Sequence, residues 1–282
     1  GSVKSEPKIL AGVLRTDIGE ALKKMIGQEV PSLRKELVRV EEEYKAWHEA
    51  IKNAFGAKTE PEIEKYIQYI DKADKDGNYL IHMWAEKGTN NQQAGEFIIQ
   101  RTLDINTKNN GGFTPLHLAT RKMMRDELEK SELSGILQLL KYEADPNIPF
   151  PDGVYPLFNA LRYGNNTSCD QKIRSLGYGL VMALLNHGAW VNIDTSSDYP
   201  DWTPLMFVIR HDSSEYQEEK VKKILEQGAQ IFTPRPTGGF SFYYKDYKDW
   251  TPLHAAAELG KTNIVKLLVN YGAKNYRGYA RI

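Results

Sequence analysis

Five times along this chain a polar or aromatic residue is followed by two or three apolar positions. The phrases are Tyr79-Leu-Ile-His82, Thr114-Pro-Leu-His117, Tyr155-Pro-Leu-Phe158, Thr203-Pro-Leu-Met206 and Thr251-Pro-Leu-His254. Each is followed, after a helical stretch, by a second apolar run: Phe97-Ile-Ile, Ile136-Leu-Gln-Leu-Leu, Val181-Met-Ala-Leu-Leu, Val221-Lys-Lys-Ile-Leu and Ile264-Val-Lys-Leu-Leu. Thr before Pro is a helix start, because Thr offers an N-cap oxygen and the N–H that Pro lacks is not needed at the first helical position. Gly188, Gly228 and Gly272 stand where the second helix must end in a left-handed residue. Glu143 and Thr102 occupy that place in the first two units, whose ends are expected to be less regular. Asp76-Gly77, Gly111-Gly112 and Asp152-Gly153 mark tight turns ahead of the next phrase. The pattern therefore predicts a repeated turn, helix and helix.

These phrases resemble the ankyrin repeat, and Trp250 to Ala273 follows that pattern almost residue for residue. The resemblance implies an all-α solenoid of about five irregular repeats, near 76–108, 109–150, 151–195, 198–232 and 248–280. The motif leucine falls at Ile81, Leu116, Leu157, Leu205 and Leu253, at intervals of 35, 41, 48 and 48, against about 33 residues for a regular repeat. The excess falls between the helices of repeat two (Arg121 to Ser134), between those of repeat three (Tyr163 to Gly177), and in a β-hairpin-like finger at 232–248. Inserts of this kind map to loops on one face. His82, His117 and His254 are motif histidines, which the resemblance makes structural rather than metal ligands.

Residues 3–73 lie before the repeats and read as helical. Asp17 with Glu20, and Thr59 with Glu62, make capping boxes. Leu33, Leu37, Val40, Tyr44, Trp47 and Ile51 place one apolar stripe on a helix from Pro31 to Phe55, roughly 36 Å long. Such a segment serves as a helical cap on repeat one; a short coiled-coil dimer seam is the alternative. The last repeat reads as an internal one, without a polar closing helix, so the chain is expected to be part of a longer protein.

Composition narrows the function. Lys and Arg together number 37 and Asp and Glu together 37. This balance argues against a dedicated nucleic-acid binder or an electrostatic membrane anchor. No apolar run approaches a membrane span, and no signal peptide is visible. The lone Cys169 suits an intracellular, reducing compartment. No phosphate-binding glycine loop or paired cysteines are present, and His48 and Glu49 lack the second His of a zinc helix. Catalytic residues, metal and cofactor are accordingly expected to be absent. Cys169→Ala is expected to leave every activity unchanged, because no base is placed beside the thiol.

Two columns carry the candidate contacts. The residue before each motif Thr reads Asn78, Phe113, Val154, Trp202 and Trp250, and is expected to project from the turn. The residue seven beyond the Thr reads Glu86, Arg121, Arg162, Arg210 and Glu258. Arginines beside aromatic rings suit a protein partner with acidic and apolar groups. The finger adds Phe240, Phe242, Tyr243, Tyr244 and Tyr247, with Tyr199 one repeat earlier, an aromatic density that solvated loops have no folding reason to carry. The expected function is non-enzymatic protein recognition by a monomer. Insert-laden repeats in a Lys-, Asn- and Tyr-rich chain are similar to secreted effectors of intracellular bacteria, which implies docking on a host protein in the host cytoplasm. The alternatives are the substrate-targeting part of a multidomain enzyme, or a eukaryotic scaffold. The resemblance also implies a hydroxylation site at Asn147, given Leu139 and Asp145; the competing role for Asn147 is to tie the turn between repeats.

Overall fold

A computed structural model describes residues 70–87, 91–121, 130–164, 171–193, 202–231 and 251–273, together with Val38, Arg39, Glu42 and Glu49, which are helical and exposed. The apolar stripe expected between Pro31 and Phe55, the two N-terminal capping boxes, Cys169 and the finger at 232–248 lie outside the described residues. The chain divides into two compact units, 1–115 and 116–282. Among the described residues all regular structure is helical.

In the first unit, α1 (Leu80–Lys87) packs on α2 (Gln92–Arg101). Trp84, Ile81 and Ile98 on these helices are buried. Asn91 caps α2 by accepting from the Ala94 N–H at 3.1 Å. A polar lattice holds the turns on either side of the pair. Asp74 Oδ1 accepts from the N–H groups of Asp76 and Asn78, Asn109 Nδ2 donates to Asn78 Oδ1 at 2.7 Å, and Asn110 N donates to the Asp76 carbonyl at 2.9 Å. Gly77 sits in this lattice at φ +76°, where an added Cβ would lie 2.4 Å from Asn110 Oδ1 and 2.7 Å from the Asn110 backbone nitrogen. No side chain fits there.

The second unit begins within α3 (Pro115–Arg121) and continues through α4 (Lys130–Lys141), α5 (Pro156–Gly164), α6 (Gln171–Asn186), α7 (Pro204–His211), α8 (Gln217–Glu226), α9 (Pro252–Glu258) and α10 (Thr262–Asn270). The odd-numbered helices open on the motif Pro; α5, α7 and α9 form one row, and α4, α6, α8 and α10 a second row behind it. Leu116, Leu157 and Leu205 are buried to within 1% of exposure, as the motif requires, whereas Leu253 keeps a partly exposed surface. Phe158 and Phe207 meet edge to face at 4.8 Å between α5 and α7. On the second row, Tyr178 stacks on Tyr216 at 4.5 Å, and Asn263 Nδ2 donates to Glu218 at 2.6 Å. The Tyr178 hydroxyl also donates to Glu219, and that bond holds its pKa up at about 12.

Two expectations change here. Part of the repeat-three insert is not loop: α6 runs for 16 residues against ten in α8 and nine in α10, so residues 171–177 lengthen the helix. Glu143 does not disturb the end of α4. It adopts φ +67°, and Ala144 N donates to Leu139 O. Ala189, Ala229 and Ala273 close on Leu184, Ile224 and Leu268 in the same way beyond Gly188, Gly228 and Gly272. Only at Thr102, with φ −73°, does the end differ, as expected. A left-handed glutamate crowds its Cβ against the following carbonyl. Glu143→Gly is therefore expected to stabilise the second unit by about 1 kcal/mol, less what glycine loses in the unfolded chain, as read from urea midpoints.

Candidate functional site: the inner-helix column and its neighbours

The motif histidines are part of the frame. His82 Nδ1 accepts from Tyr79 N at 3.2 Å, while its Nε2 lies 3.1 Å from the carbonyls of both Thr107 and Phe113. An acceptor at Nδ1 and a donor at Nε2 define a neutral ring, and burial lowers its pKa. His117 Nε2 reaches Ile148 O at 2.8 Å. His254 Nδ1 accepts from Thr251 N at 3.2 Å and lies 3.0 Å from the Thr251 hydroxyl. Burial, with Arg210 and Lys261 close by, also lowers the pKa of His211. Both folded values fall below the ordinary 6.5, so the unfolded chain takes up these protons first. The stability the two rings contribute is complete above pH 6.5 and is lost as pH falls below it. Urea midpoints are expected to drop between pH 7 and 5.5, and His82→Gln should flatten that dependence in the first unit.

Asn147 ties two repeats together. Its Nδ2 donates to Gly188 O at 3.0 Å, its Oδ1 accepts from Trp190 N at 2.8 Å, and its own N–H is held by Asp145. Asn192 repeats the arrangement on Gly228 O and Gln230 N. The turn-tying role is therefore occupied in this structure.

The arginine column divides. Arg121 and Arg162 stand exposed at the C-terminal ends of α3 and α5, in the same register. Arg210, third in the column, is only 15% exposed at its side chain and binds Glu258 at 2.9 Å. The two residues hold the same position in successive repeats, so opposite charges meet across the stack. The turn column departs from expectation as well. Trp202 is buried, 4% exposed, with its ring 4.9 Å from that of His211 and the Arg210 guanidinium 6.0 Å above it. Trp202 is thus a packing residue and not an exposed contact. Val154 is buried too, and Phe113 is half-buried. Trp250, Tyr199, Phe240, Phe242, Tyr243, Tyr244 and Tyr247 lie outside the described residues.

Sequence reading missed a polar core at the end of α7. Lys220 and Asp212 are both wholly buried and pair at 2.8 Å. Asp212 Oδ1 also accepts from Ser214 N at 2.8 Å. Gln217 Nε2 donates to Val208 O at 2.7 Å, and Lys261 Nζ to Ile209 O at 2.7 Å and Asp212 O at 3.0 Å. Gln217 and Lys261 thereby donate to carbonyls at the C-terminal end of α7, where the helix leaves acceptors and a negative dipole end to be met. Lys261 comes from the start of α10, so it also fastens one repeat to the next. Burial lowers its pKa.

The family model for ankyrin repeats, in three copies, matches residues 174–279. The structure is similar to that of the ankyrin-repeat protein EF0377, with TM-score 0.52, 19% identity, and coverage of 80% of this chain and 97% of that one. It is similar also to an ankyrin-repeat domain from Acinetobacter baumannii AYE, with TM-score 0.53, 22% identity, and coverage of 82% and 100%. No curated protein matches. This chain carries ankyrin repeats and takes the ankyrin-repeat fold, and repeats of this kind are protein–protein interaction modules. Among the described residues no group of side chains could hold a metal, and no helix is long and apolar enough to cross a membrane.

Proposed function

We propose that the chain is a non-enzymatic recognition module that grips an acidic segment of a partner protein through Arg121 and Arg162. The observation that supports this reading is the pair of exposed arginines at one register of consecutive inner helices. The third arginine of the column, Arg210, is bound to Glu258 and mostly buried, so the exposed part of the column lies in repeats two and three. The aromatic run from Phe240 to Trp250, with Tyr199, would supply apolar contacts; its support is the sequence alone. A role as the host-docking part of a secreted bacterial effector, acting inside the host cell, rests on the insert-laden repeats and the Lys-, Asn- and Tyr-rich sequence.

The test is affinity purification of partners with the wild-type chain and with Arg121→Glu/Arg162→Glu. Reversing two exposed charges is expected to leave the melting temperature unchanged and to weaken capture of acidic partners about tenfold or more, with the loss shrinking as salt rises. Partners captured equally by both chains would contradict the assignment.

A further inference from the structure

Repeat three carries a second feature that the arginine column does not use. Trp190 is 56% exposed, an unusual position for the largest apolar side chain. It stands two residues after Gly188, where the other repeats have Asp104, Asp145, Gln230 and Lys274 at the matching place. Its ring leans on that of Tyr155 at 6.2 Å and 46°. Its backbone N–H is pinned by Asn147 Oδ1 at 2.8 Å. The indole is thus held out from the surface, and such preorganisation lowers the cost of binding.

The chain segments that touch Trp190 carry charge of one sign. Residues 142–160, which include the contacting Asn147 and Tyr155, contain Glu143, Asp145 and Asp152 and no Lys or Arg. Residues 187–193 contain no Lys, Arg, Asp or Glu. All three carboxylate residues are exposed. The cation that precedes this stretch, Lys141, lies 5.4 Å over the ring of Tyr142. An exposed π face on chain segments whose charged residues are carboxylates attracts a cation twice over, through the ring quadrupole and through Coulomb attraction.

We propose that Trp190 and Tyr155, with Asp145 and Asp152, form a docking point for a basic peptide segment of another protein, an arginine guanidinium lying on the indole face. It is separate from the Arg121 and Arg162 surface and has the opposite charge preference. The two surfaces together would select a partner with acidic and basic segments in a fixed order.

The experiment is an NMR titration of the folded chain, with the Trp190 indole N–H signal assigned by its loss in Trp190→Phe. The probes are the acetylated, amidated pentapeptide Gly-Arg-Gly-Arg-Gly and its glutamate and all-glycine counterparts. Saturable shifts at Trp190 are expected with the arginine peptide alone. Affinity should fall about fivefold or more in Trp190→Ala, and about threefold in Asp145→Asn/Asp152→Asn, whose amides keep the turn hydrogen bonds. Arg162→Glu should leave it no weaker, which separates this site from the column. The proposal is overturned by no shift at millimolar peptide, by equal or larger shifts with the glutamate peptide, or by undiminished affinity in Trp190→Ala. Wild-type-like spectra of the variants away from residue 190 confirm that they fold.

Discussion

Asp212→Ala is expected to destabilise the second unit by about 3–5 kcal/mol, because it leaves the Lys220 ammonium buried without its counter-charge. Both side chains are wholly inaccessible, so water cannot replace the lost partner. The loss includes the Ser214 N–H bond, which is worth about 1 kcal/mol. The pair itself need not be net stabilising, since desolvating two ions offsets most of their attraction. Asp212→Leu/Lys220→Met should therefore recover much of the stability, and the double-mutant cycle should show a coupling of about 1–3 kcal/mol. Urea denaturation of the wild type, Asp212→Leu, Lys220→Met and the double variant measures this. Additive effects would show that the pair is not coupled.

Trp202→Ala is expected to cost about 3–5 kcal/mol, the range for deleting a buried aromatic ring. The indole fills the space beside His211 and under the Arg210 guanidinium. Its removal should also loosen the Arg210–Glu258 bridge. Arg210→Ala alone should cost far less, about 1 kcal/mol, since Glu258 remains partly exposed. Thermal melts with partner capture per folded molecule separate packing from recognition. Trp202→Ala should lower the first and spare the second.

The motif phrases made the repeat legible because they fix helix starts and buried positions at once. Pro at the first helical position, Leu two residues into the helix and Gly after the second helix each have one physical role. The structure places Leu116, Leu157, Leu205, Gly188 and Gly228 accordingly. Glu143 was misjudged because the left-handed cap is set by the helix-ending hydrogen bonds, and a non-glycine residue can be forced into it. Trp202 was misjudged because the residue before the motif Thr was assumed to project, whereas a large ring folds back onto its own helix. The Arg210–Glu258 pair was visible in the column itself, where opposite charges hold one register in adjacent repeats. Lys220 left a fainter signal. It lies four residues before Ile224 on the buried face of α8, where an apolar side chain is the ordinary occupant. Its counter-ion lies in the preceding turn, so the pair could be read only with the fold in place.

Hydrogen–deuterium exchange of the chain, free and with an acidic-segment partner recovered by affinity purification, tests the central assignment most directly. The account predicts new protection in α3 and α5, around Arg121 and Arg162, and its absence in the Arg121→Glu/Arg162→Glu protein. Protection confined to the second-row helices α8 and α10, with α3 and α5 unchanged, would contradict it.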